Sequence, residues 1–283
     1  KLRSLEATYV WSLLSANDAL YAGTGDSGVL YRVAGDQAKP VLETGELQVL
    51  ALAKDGAGNV YAGTAPHGLI YRITPEGKSG LFWRSPEEYI LSLCVDEQGT
   101  VYAGTSPHGR IYRITPDGKG SLFARVPDPY VVSLAHSGGA PYAGSGAGAV
   151  VFRISADGKV STFFDPAEGN TASLVAAGPN GRLYVGTSPK GALYRLDAAG
   201  HDRLLHEKSP AGISALAVDA QGVVWAAAGG SLYRVEDRAE KPGVERVEEA
   251  QGARFLALAV EDSGAVALGS AAGDLFRLAG QPA

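Results

Sequence analysis

One phrase returns seven times along the chain: a strand that reads like Val-Tyr-Ala-Gly-Thr, a short loop, and a strand that reads like Ile-Tyr-Arg-Ile. The arginines of the second strand are Arg32, Arg72, Arg113, Arg153, Arg195, Arg234 and Arg277. They are spaced about 41 residues apart, and such a period with several short strands in each copy is typical of propeller blades. The repeat predicts an all-β fold, a seven-bladed β-propeller of four-stranded blades.

The third copy shows how one blade is built. Apolar or alternating runs at 89–95, 101–105, 110–114 and 121–125 predict four strands, and the Pro and Asp-Gly residues between them mark turns. The last copy ends after its third strand, near residues 274–278, whereas residues 1–6 precede the first copy. We expect residues 1–6 to complete the C-terminal blade as its fourth strand, because an open ring would expose two long strand edges. A single propeller domain is expected over residues 1–283.

The 25 basic and 30 acidic side chains give a net charge of −5 and are scattered along the chain, which argues against a nucleic-acid-binding surface. No apolar stretch approaches the ~20 residues that span a bilayer. Cys94 is the single cysteine, which excludes a disulfide framework and predicts a buried thiol. The chain contains no methionine, even at its start. We therefore expect the chain to be a processed precursor or a piece of a longer protein; we favour a removed secretory signal and expect a monomer with a periplasmic or secreted location.

Most of the conspicuous residues recur from copy to copy and are predicted to serve the fold. Large rings at two repeated tyrosine positions suit blades packed face to face. The repeated arginines are expected to stack between blades and to pair with carbonyls or with turn acids such as Asp55, Asp96, Asp219 and Glu261. Small residues on the innermost strand, such as Ser12, let these strands crowd around a central axis.

Two motif matches do not indicate a cofactor. Residues 23–28 fit the pattern GxGxxG, but a strand follows them, so the helix N-terminus that binds a dinucleotide is missing. The Gly-Lys-Ser sequence at 77–79 lacks the upstream glycine of a P-loop. We therefore expect no cofactor.

Residues that differ between the copies are the candidates for a functional role. In propellers the loop entering the innermost strand and the loop between the second and third strands open on one face, here called the upper face. The residues that vary on these loops are Tyr9, Gln48, Tyr89, Tyr130, Asn170, Arg254, His67, His108 and Lys190. A concave, aromatic-lined face with several hydrogen-bonding groups suits a small polar ligand, a peptide or a protein. We predict that these residues form a ligand-binding site over the mouth of the channel.

His67 and His108 allow a second interpretation. They hold equivalent positions on neighbouring blades, and Glu88 lies between them in sequence. Two imidazoles and a carboxylate can ligate a divalent ion if they converge. However, both histidines lie in a duplicated Pro-His-Gly phrase, and duplication explains the pair without any ion. The sequence therefore predicts no metal site and no catalytic residue, and keeps a metal-dependent enzyme as the alternative.

The phrase at 96–105, followed by Gly-Arg-Ile-Tyr-Arg-Ile at 109–114, resembles the bacterial regulator-type propeller repeat and is similar to the NHL and streptogramin-lyase-like repeats. The resemblance extends over all seven copies and implies the propeller fold. Kinship with the lyases also implies a histidine base, a nearby acid and a magnesium ion, but His67 and His108 do not match the lyase site by position. We expect a non-enzymatic sensor or scaffold that binds a ligand or protein; the alternative is a metal-dependent lyase or hydrolase using the same face.

Overall fold

The computed structural model describes residues 2–166, 172–207, 209 and 211–279. It contains seven four-stranded antiparallel sheets, whose innermost strands contact one another in sequence around a ring. The predicted seven-bladed β-propeller is confirmed. In the described part of the chain, no helix is long and apolar enough to cross a membrane.

The strands of each blade follow one another from the innermost to the outermost. Blades 1 to 3 contain β2 (Val10–Ala16), β3 (Ala19–Thr24), β4 (Val29–Ala34), β5 (Gln37–Glu43), β6 (Gln48–Lys54), β7 (Val60–Ala65), β8 (Leu69–Ile73), β9 (Ser79–Arg84), β10 (Tyr89–Val95), β11 (Val101–Ser106), β12 (Arg110–Ile114) and β13 (Gly120–Arg125). Blades 4 and 5 contain β14 (Val131–Ser137), β15 (Ala140–Ser145), β16 (Val151–Ile154), β17 (Val160–Phe164), β18 (Ala172–Ala177), β19 (Leu183–Ser188), β20 (Leu193–Leu196) and β21 (Asp202–His206), with a 3₁₀ turn at Pro179–Gly181. Blades 6 and 7 contain β22 (Ile213–Val218), β23 (Val224–Ala228), β24 (Ser231–Glu236), β25 (Gly243–Glu249), β26 (Phe255–Val260), β27 (Val266–Ser270), β28 (Asp274–Leu278) and, as the outermost strand of blade 7, β1 (Arg3–Ser4).

The N-terminal segment closes the ring. In the β1–β28 pair, Arg3 lies opposite Leu275, and the backbone N–H of Leu5 donates to the carbonyl of Gly273 at 2.9 Å. The Leu5 side chain is buried in an apolar cluster shared by blades 7 and 1. The prediction that this segment completes the C-terminal blade is confirmed; Lys1 lies outside the described residues.

The repeated Tyr-Ala-Gly-Thr phrase is explained by the packing between blades. In blade 2 the ring of Tyr61 is buried in the core. A Cβ on Gly63 would lie 2.5 Å from the Cγ2 atom of Ile90 on the next innermost strand, so the close approach of these strands requires glycine. The hydroxyl of buried Thr64 donates to the carbonyl of Leu69 at 3.1 Å and thereby closes the loop between the second and third strands.

The prediction for the repeated arginines is correct only in part. Arg277 contacts Glu261 as expected. Asp55 does not contact a repeated arginine: its Oδ1 accepts backbone N–H groups within its own turn, and its Oδ2 accepts the hydroxyl of Tyr61 at 3.0 Å. The expectation was wrong for such turn acids because capping the turn and binding the ring already use both carboxylate oxygens. Cys94 is buried as predicted, and burial raises the pKa of its thiol.

The strand register places the two kinds of variable loop at the same end of each blade. Gln48 at the start of β6 lies opposite Ala65 at the end of β7, and Tyr89 lies opposite Ser106 in the next blade. The loop that enters the innermost strand therefore adjoins the loop between the second and third strands, which is the geometry expected of the upper face.

Candidate functional site

The described residues of the predicted ligand-binding set lie on the upper face. Gln48 and Tyr89 begin innermost strands, and the carbonyls of Tyr9, Tyr130 and Arg254 accept N–H groups from the adjacent loops at 3.0, 3.0 and 2.8 Å. The loops between second and third strands contain His67, His108 and Lys190, all of them exposed. Tyr130 and Arg254 are also exposed, whereas Tyr9, Gln48 and Tyr89 are half-buried. Asn170 lies outside the described residues.

In blade 2 a buried glutamate holds an exposed histidine. The Glu46 side chain is 5% exposed and the His67 side chain is 68% exposed. Glu46 Oε1 lies 2.9 Å from His67 Nδ1, and Glu46 Oε2 accepts the backbone N–H of His67 at 2.8 Å. Because the carboxylate occupies Nδ1, a neutral His67 carries its proton there and presents Nε2 to solvent as an acceptor.

Blade 3 repeats this arrangement. Glu87 is 2% exposed, and its Oε2 lies 2.7 Å from Nδ1 of His108, whose side chain is 55% exposed. The second oxygen of Glu87 accepts from the guanidinium of Arg110 at 2.5 Å. Burial raises the pKa of the neighbouring Tyr112, and Arg110 opposes that rise. Two adjacent blades therefore present imidazoles whose orientation is set by buried carboxylates.

Asp128 is the equivalent acid of blade 4, and it accepts three backbone N–H groups. Its Oδ1 accepts the N–H of Tyr130 at 2.9 Å. Its Oδ2 accepts the N–H groups of Ala147 and Gly148 at 2.9 and 2.8 Å. We call Glu46, Glu87 and Asp128 the carboxylate row. Each member holds the loop between the second and third strands of its own blade.

The carboxylate row also links neighbouring blades. Gly68 has φ of +59°, and a Cβ there would lie 1.9 Å from the carbonyl oxygen of Glu87. Gly109 has φ of +62°, and a Cβ there would lie 2.0 Å from the carbonyl oxygen of Asp128. The glycine of each Pro-His-Gly phrase is therefore required twice, by its left-handed backbone and by contact with the next loop. The loops of blades 2 to 4 form one interlocked strip.

A groove lies beside His108 at the boundary between blades 3 and 4. Its volume is about 380 Å³, and its lining contains the prolines at 107, 127 and 129. The polar groups around it are His108, Arg125 and Asp128. Rigid apolar walls with a few polar groups at the edge suit one side chain of a ligand together with its flanking hydrogen-bonding groups.

The central channel is lined mainly by leucine, serine and alanine side chains. A cavity of about 270 Å³ is bounded by the innermost strands, and each of the seven contributes a leucine at the same repeat position; we call these seven residues the leucine ring. These are Leu13, Leu52, Leu93, Leu134, Leu174, Leu216 and Leu258. The hydroxyl of Ser92 donates to the carbonyl of Val131 at 2.8 Å and so bridges two innermost strands. At the mouth, Trp11 stacks on Tyr9 at 5.1 Å, and its buried indole N–H has no acceptor in the described part of the chain. No titratable side chain lines this cavity among the described residues.

Two features of this region were not predicted from the sequence. Glu46 and the pairing of each glutamate with a histidine 21 residues later were not predicted, although an acid stands two positions before Gln48, Tyr89 and Tyr130. The leucine ring was also missed, although a leucine follows every small inner residue. In addition, the glutamate that contacts His108 is Glu87 and not Glu88. The described residues contain no group of three or more His, Cys, Asp or Glu side chains that could hold a metal ion.

No family model and no curated protein matches the chain, but solved structures do. A catalytically inactive variant of virginiamycin B lyase from Staphylococcus aureus, crystallised with quinupristin, aligns with a TM-score of 0.86 at 15% identity over 98% of this chain and 97% of that chain. The chain is a seven-bladed propeller. YCF48 bound to D1 peptide aligns with a TM-score of 0.77 at 16% identity over 99% of this chain and 94% of that chain. The extracellular domain of the putative hybrid two-component system BT4673 from B. thetaiotaomicron aligns with a TM-score of 0.75 at 14% identity over 97% of this chain and 38% of that chain. At these identities the likeness establishes the fold and nothing finer.

Proposed function

We propose that this propeller is a non-enzymatic sensor or scaffold whose upper face binds a peptide segment of a partner protein or a small polar ligand. The observation that carries the proposal is the pair of exposed imidazoles, His67 and His108, each fixed by a buried glutamate. A buried carboxylate is costly to place, and here it orients a side chain whose other nitrogen faces solvent. An extracytoplasmic location belongs to the same proposal.

Surrounding residues favour a peptide. The exposed side chains of Leu47 and Tyr130 lie on the same loops as the carboxylate row and offer apolar area. The groove beside His108 can accept one side chain of an extended segment, and His108 Nε2 can accept a backbone N–H or, when protonated, donate to a carbonyl. Aromatic anchors next to rigid polar groups are the usual energetic centre of an interface.

Two of the structural neighbours are consistent with this role. YCF48 is a propeller bound to a peptide, and the BT4673 propeller belongs to an extracellular domain of a putative two-component system. We transfer from them only the class of function, binding by a propeller outside the cytoplasm. The channel is consistent with the same choice, because the described side chains that line it include no carboxylate, imidazole or amine.

The test is selection of binders from a displayed random-peptide library on the immobilised protein. We expect selected peptides to lose binding when Tyr89, Tyr130 and Arg254 are replaced together by alanine, and also in the His67→Ala, His108→Ala double variant. The matched control is Leu122→Ala, which alters an exposed leucine on the outer strand of blade 3. Selected peptides that bind all variants alike would contradict the proposed site, and a library that yields no binder would exclude a peptide as its ligand.

The second candidate is a lyase or hydrolase on the same face. It is favoured by the glutamate–histidine pairs, because a carboxylate on Nδ1 lets Nε2 act as a general base. Virginiamycin B lyase and streptogramin B lyase share the fold. Incubation with quinupristin, followed by chromatography with and without added Mg²⁺, tests this candidate. Conversion that disappears in His67→Ala or His108→Ala would favour the enzyme, whereas an unchanged substrate would favour the binding role.

A further inference from the structure

Blade 5 lacks a contact between a turn acid and an aromatic ring that three other blades make on the lower face, opposite the histidines. In blades 2, 3 and 6 the acid of the first turn accepts from an aromatic ring six residues later, at 3.0, 3.3 and 3.2 Å; these acids are Asp55, Asp96 and Asp219. Blade 5 has Gly178 at this position. A Cβ on Gly178 would lie 2.6 Å from the ring of Tyr184, so in blade 5 the ring occupies the space that an acidic side chain would take.

An aspartate from the next blade enters this region. Asp237 follows β24 of blade 6, and its side chain is only 3% exposed. Its carboxylate lies 3.2 Å from Arg195, 3.5 Å from Arg203 and 3.6 Å from Arg182. One buried carboxylate therefore faces three guanidinium groups. The adjacent Glu236 pairs with two more arginines.

The positive charge in this network exceeds the negative charge. It contains five arginines, Arg182, Arg195, Arg203, Arg234 and Arg238, and two acids, Glu236 and Asp237. The local balance of three positive charges occurs in a chain whose total charge is −5. Mutual repulsion among guanidiniums this close is relieved by a further anion.

Donors also exceed acceptors. Arg203 donates to the carbonyls of Arg238 and Glu240 at 2.8 and 3.2 Å as well as to Asp237. Arg182 is held less tightly: it contacts the hydroxyl of Tyr184, but its 3.6 Å separation from Asp237 is longer than a hydrogen bond, and its side chain is 46% exposed. The Nε of Arg195 is buried without an acceptor in the described residues. Such an orphaned donor is costly and shows that the arginines of this network exceed their acceptors, although Arg195 itself does not line the adjoining cavity.

A cavity of about 290 Å³ adjoins this network at the boundary between blades 5 and 6. Arg182 and the amide side chain of Asn180 line it from blade 5, and Arg238 and Gln221 line it from blade 6 together with Glu236 and Asp237. The ring of Tyr184 contributes an apolar surface. Guanidinium and amide donors from two blades therefore meet around a space large enough for a small organic anion, which would compete with these two acids for the arginines.

We propose that this lower-face cavity binds an oxyanion, namely the phosphate or carboxylate group of a small molecule, between Arg182 and Arg238. The planar guanidinium group binds such oxygens in a two-pronged manner, and the amides of Asn180 and Gln221 supply further donors. The site is independent of the upper-face proposal, because it shares no residue with the carboxylate row.

Calorimetric titration with inorganic phosphate and, separately, with succinate at constant ionic strength tests the proposal. We expect saturable binding of one anion per chain, weakened at least about tenfold, or about 1.4 kcal/mol, in Arg182→Gln and in Arg238→Gln. The matched control is Lys119→Gln, which removes one positive charge from an exposed turn of blade 3 on the same face. Tighter binding of phosphate or of succinate identifies the preferred group. Absence of saturable binding for both anions, or equal loss in the Lys119 variant, would overturn the site.

A second measurement separates anion binding from a structural role of the arginines. Asp237→Asn removes the internal carboxylate, so the cluster gains a positive charge and should bind phosphate more tightly. By mass action, phosphate should then raise the Tm of this variant more than that of the native chain, and should leave the Tm of Arg182→Gln almost unchanged. An equal phosphate-induced increase in Tm in all three proteins would refute the proposal. The triple alanine variant at Tyr89, Tyr130 and Arg254 should bind phosphate as tightly as the native chain, whether or not the upper face binds a peptide.

Discussion

Replacing Leu5 by alanine tests the closure of the ring. Leu5 follows the two-residue strand β1 and packs with Val10, Leu20 and Leu275 in the cluster that joins blades 7 and 1. Removing a buried leucine side chain costs about 2–5 kcal/mol. Because β1 is short and lies at the edge of its sheet, we expect a value in the lower part of that range, about 2–3 kcal/mol. At about 2 °C per kcal/mol for a chain of this size, the Tm should fall by about 4–6 °C.

Urea unfolding followed by circular dichroism gives the free-energy change, and a thermal scan gives the Tm. The matched control is Leu122→Ala, because Leu122 is also a strand leucine but is exposed. Its substitution should change stability by no more than about 0.5 kcal/mol. If the two variants are equally stable, the buried contact of Leu5 does not secure the ring.

Deleting residues 1–7 extends the same test. The deletion removes the backbone partner of β28 and uncovers its edge, so the Tm should fall further than in Leu5→Ala. A synthetic peptide of residues 1–7 added in trans should restore part of the lost Tm, and the same peptide with Leu5→Ala should restore less. A deletion variant with the native Tm would refute closure by this segment.

Further predictions concern single buried groups. Glu87→Gln should cost about 1–3 kcal/mol in urea unfolding, because it leaves Arg110 and His108 without their buried charge while both partners stay partly solvated. Burial raises the pKa values of Tyr61 and Tyr102 to about 12, so stability present below the unfolded value near 10 should be lost as the pH rises from about 10 to 12. Tyr61→Phe should flatten that loss in pH-dependent thermal scans, and a Tm constant across this range would contradict it. Cys94 should react with a thiol reagent only after unfolding, since its thiol is buried and its pKa is raised; rapid labelling of the native chain would show otherwise.

The sequence was sufficient for the architecture because one physical constraint recurs in every blade. The contact of Gly63 with Ile90 and the loop-closing hydroxyl of Thr64 are local consequences of packing one sheet against the next. Because every blade must meet these packing requirements, the same residue types recur at the same spacing, and the period alone indicates the blades. Closure by residues 1–6 was predictable for a related reason, since the last copy lacked an outer strand and the first had one to spare.

The pairings at the candidate sites were not predictable in the same way. Glu46 reaches His67 across 21 residues, and Arg195 reaches Asp237 across 42. The position of each acceptor depends on side-chain conformation and on which neighbouring loop lies within reach, and neither is encoded by a repeat. Asp55 is an example: we expected it to pair with an arginine, but its two carboxylate oxygens accept hydrogen bonds from its own turn and from Tyr61.

The described charged groups of this molecule lie on its outer faces and not along its channel. The described side chains that line the channel are those of leucine, serine, alanine, valine and tryptophan, none of which carries a charge, so we expect charged ligand groups to be recognised on the outer faces. On those faces the seven-fold pattern is broken in two separate places, by buried carboxylates that fix histidines on blades 2 and 3, and by unmatched arginines between blades 5 and 6. The first break presents imidazole nitrogens in fixed orientations together with apolar groups, which suit a peptide, whereas the second presents excess positive charge, which suits an anion. Because the two places share neither a blade nor a face, we expect substitutions at one to leave binding at the other unchanged, and coupling between them would require a change of blade packing that the interlocked loops oppose.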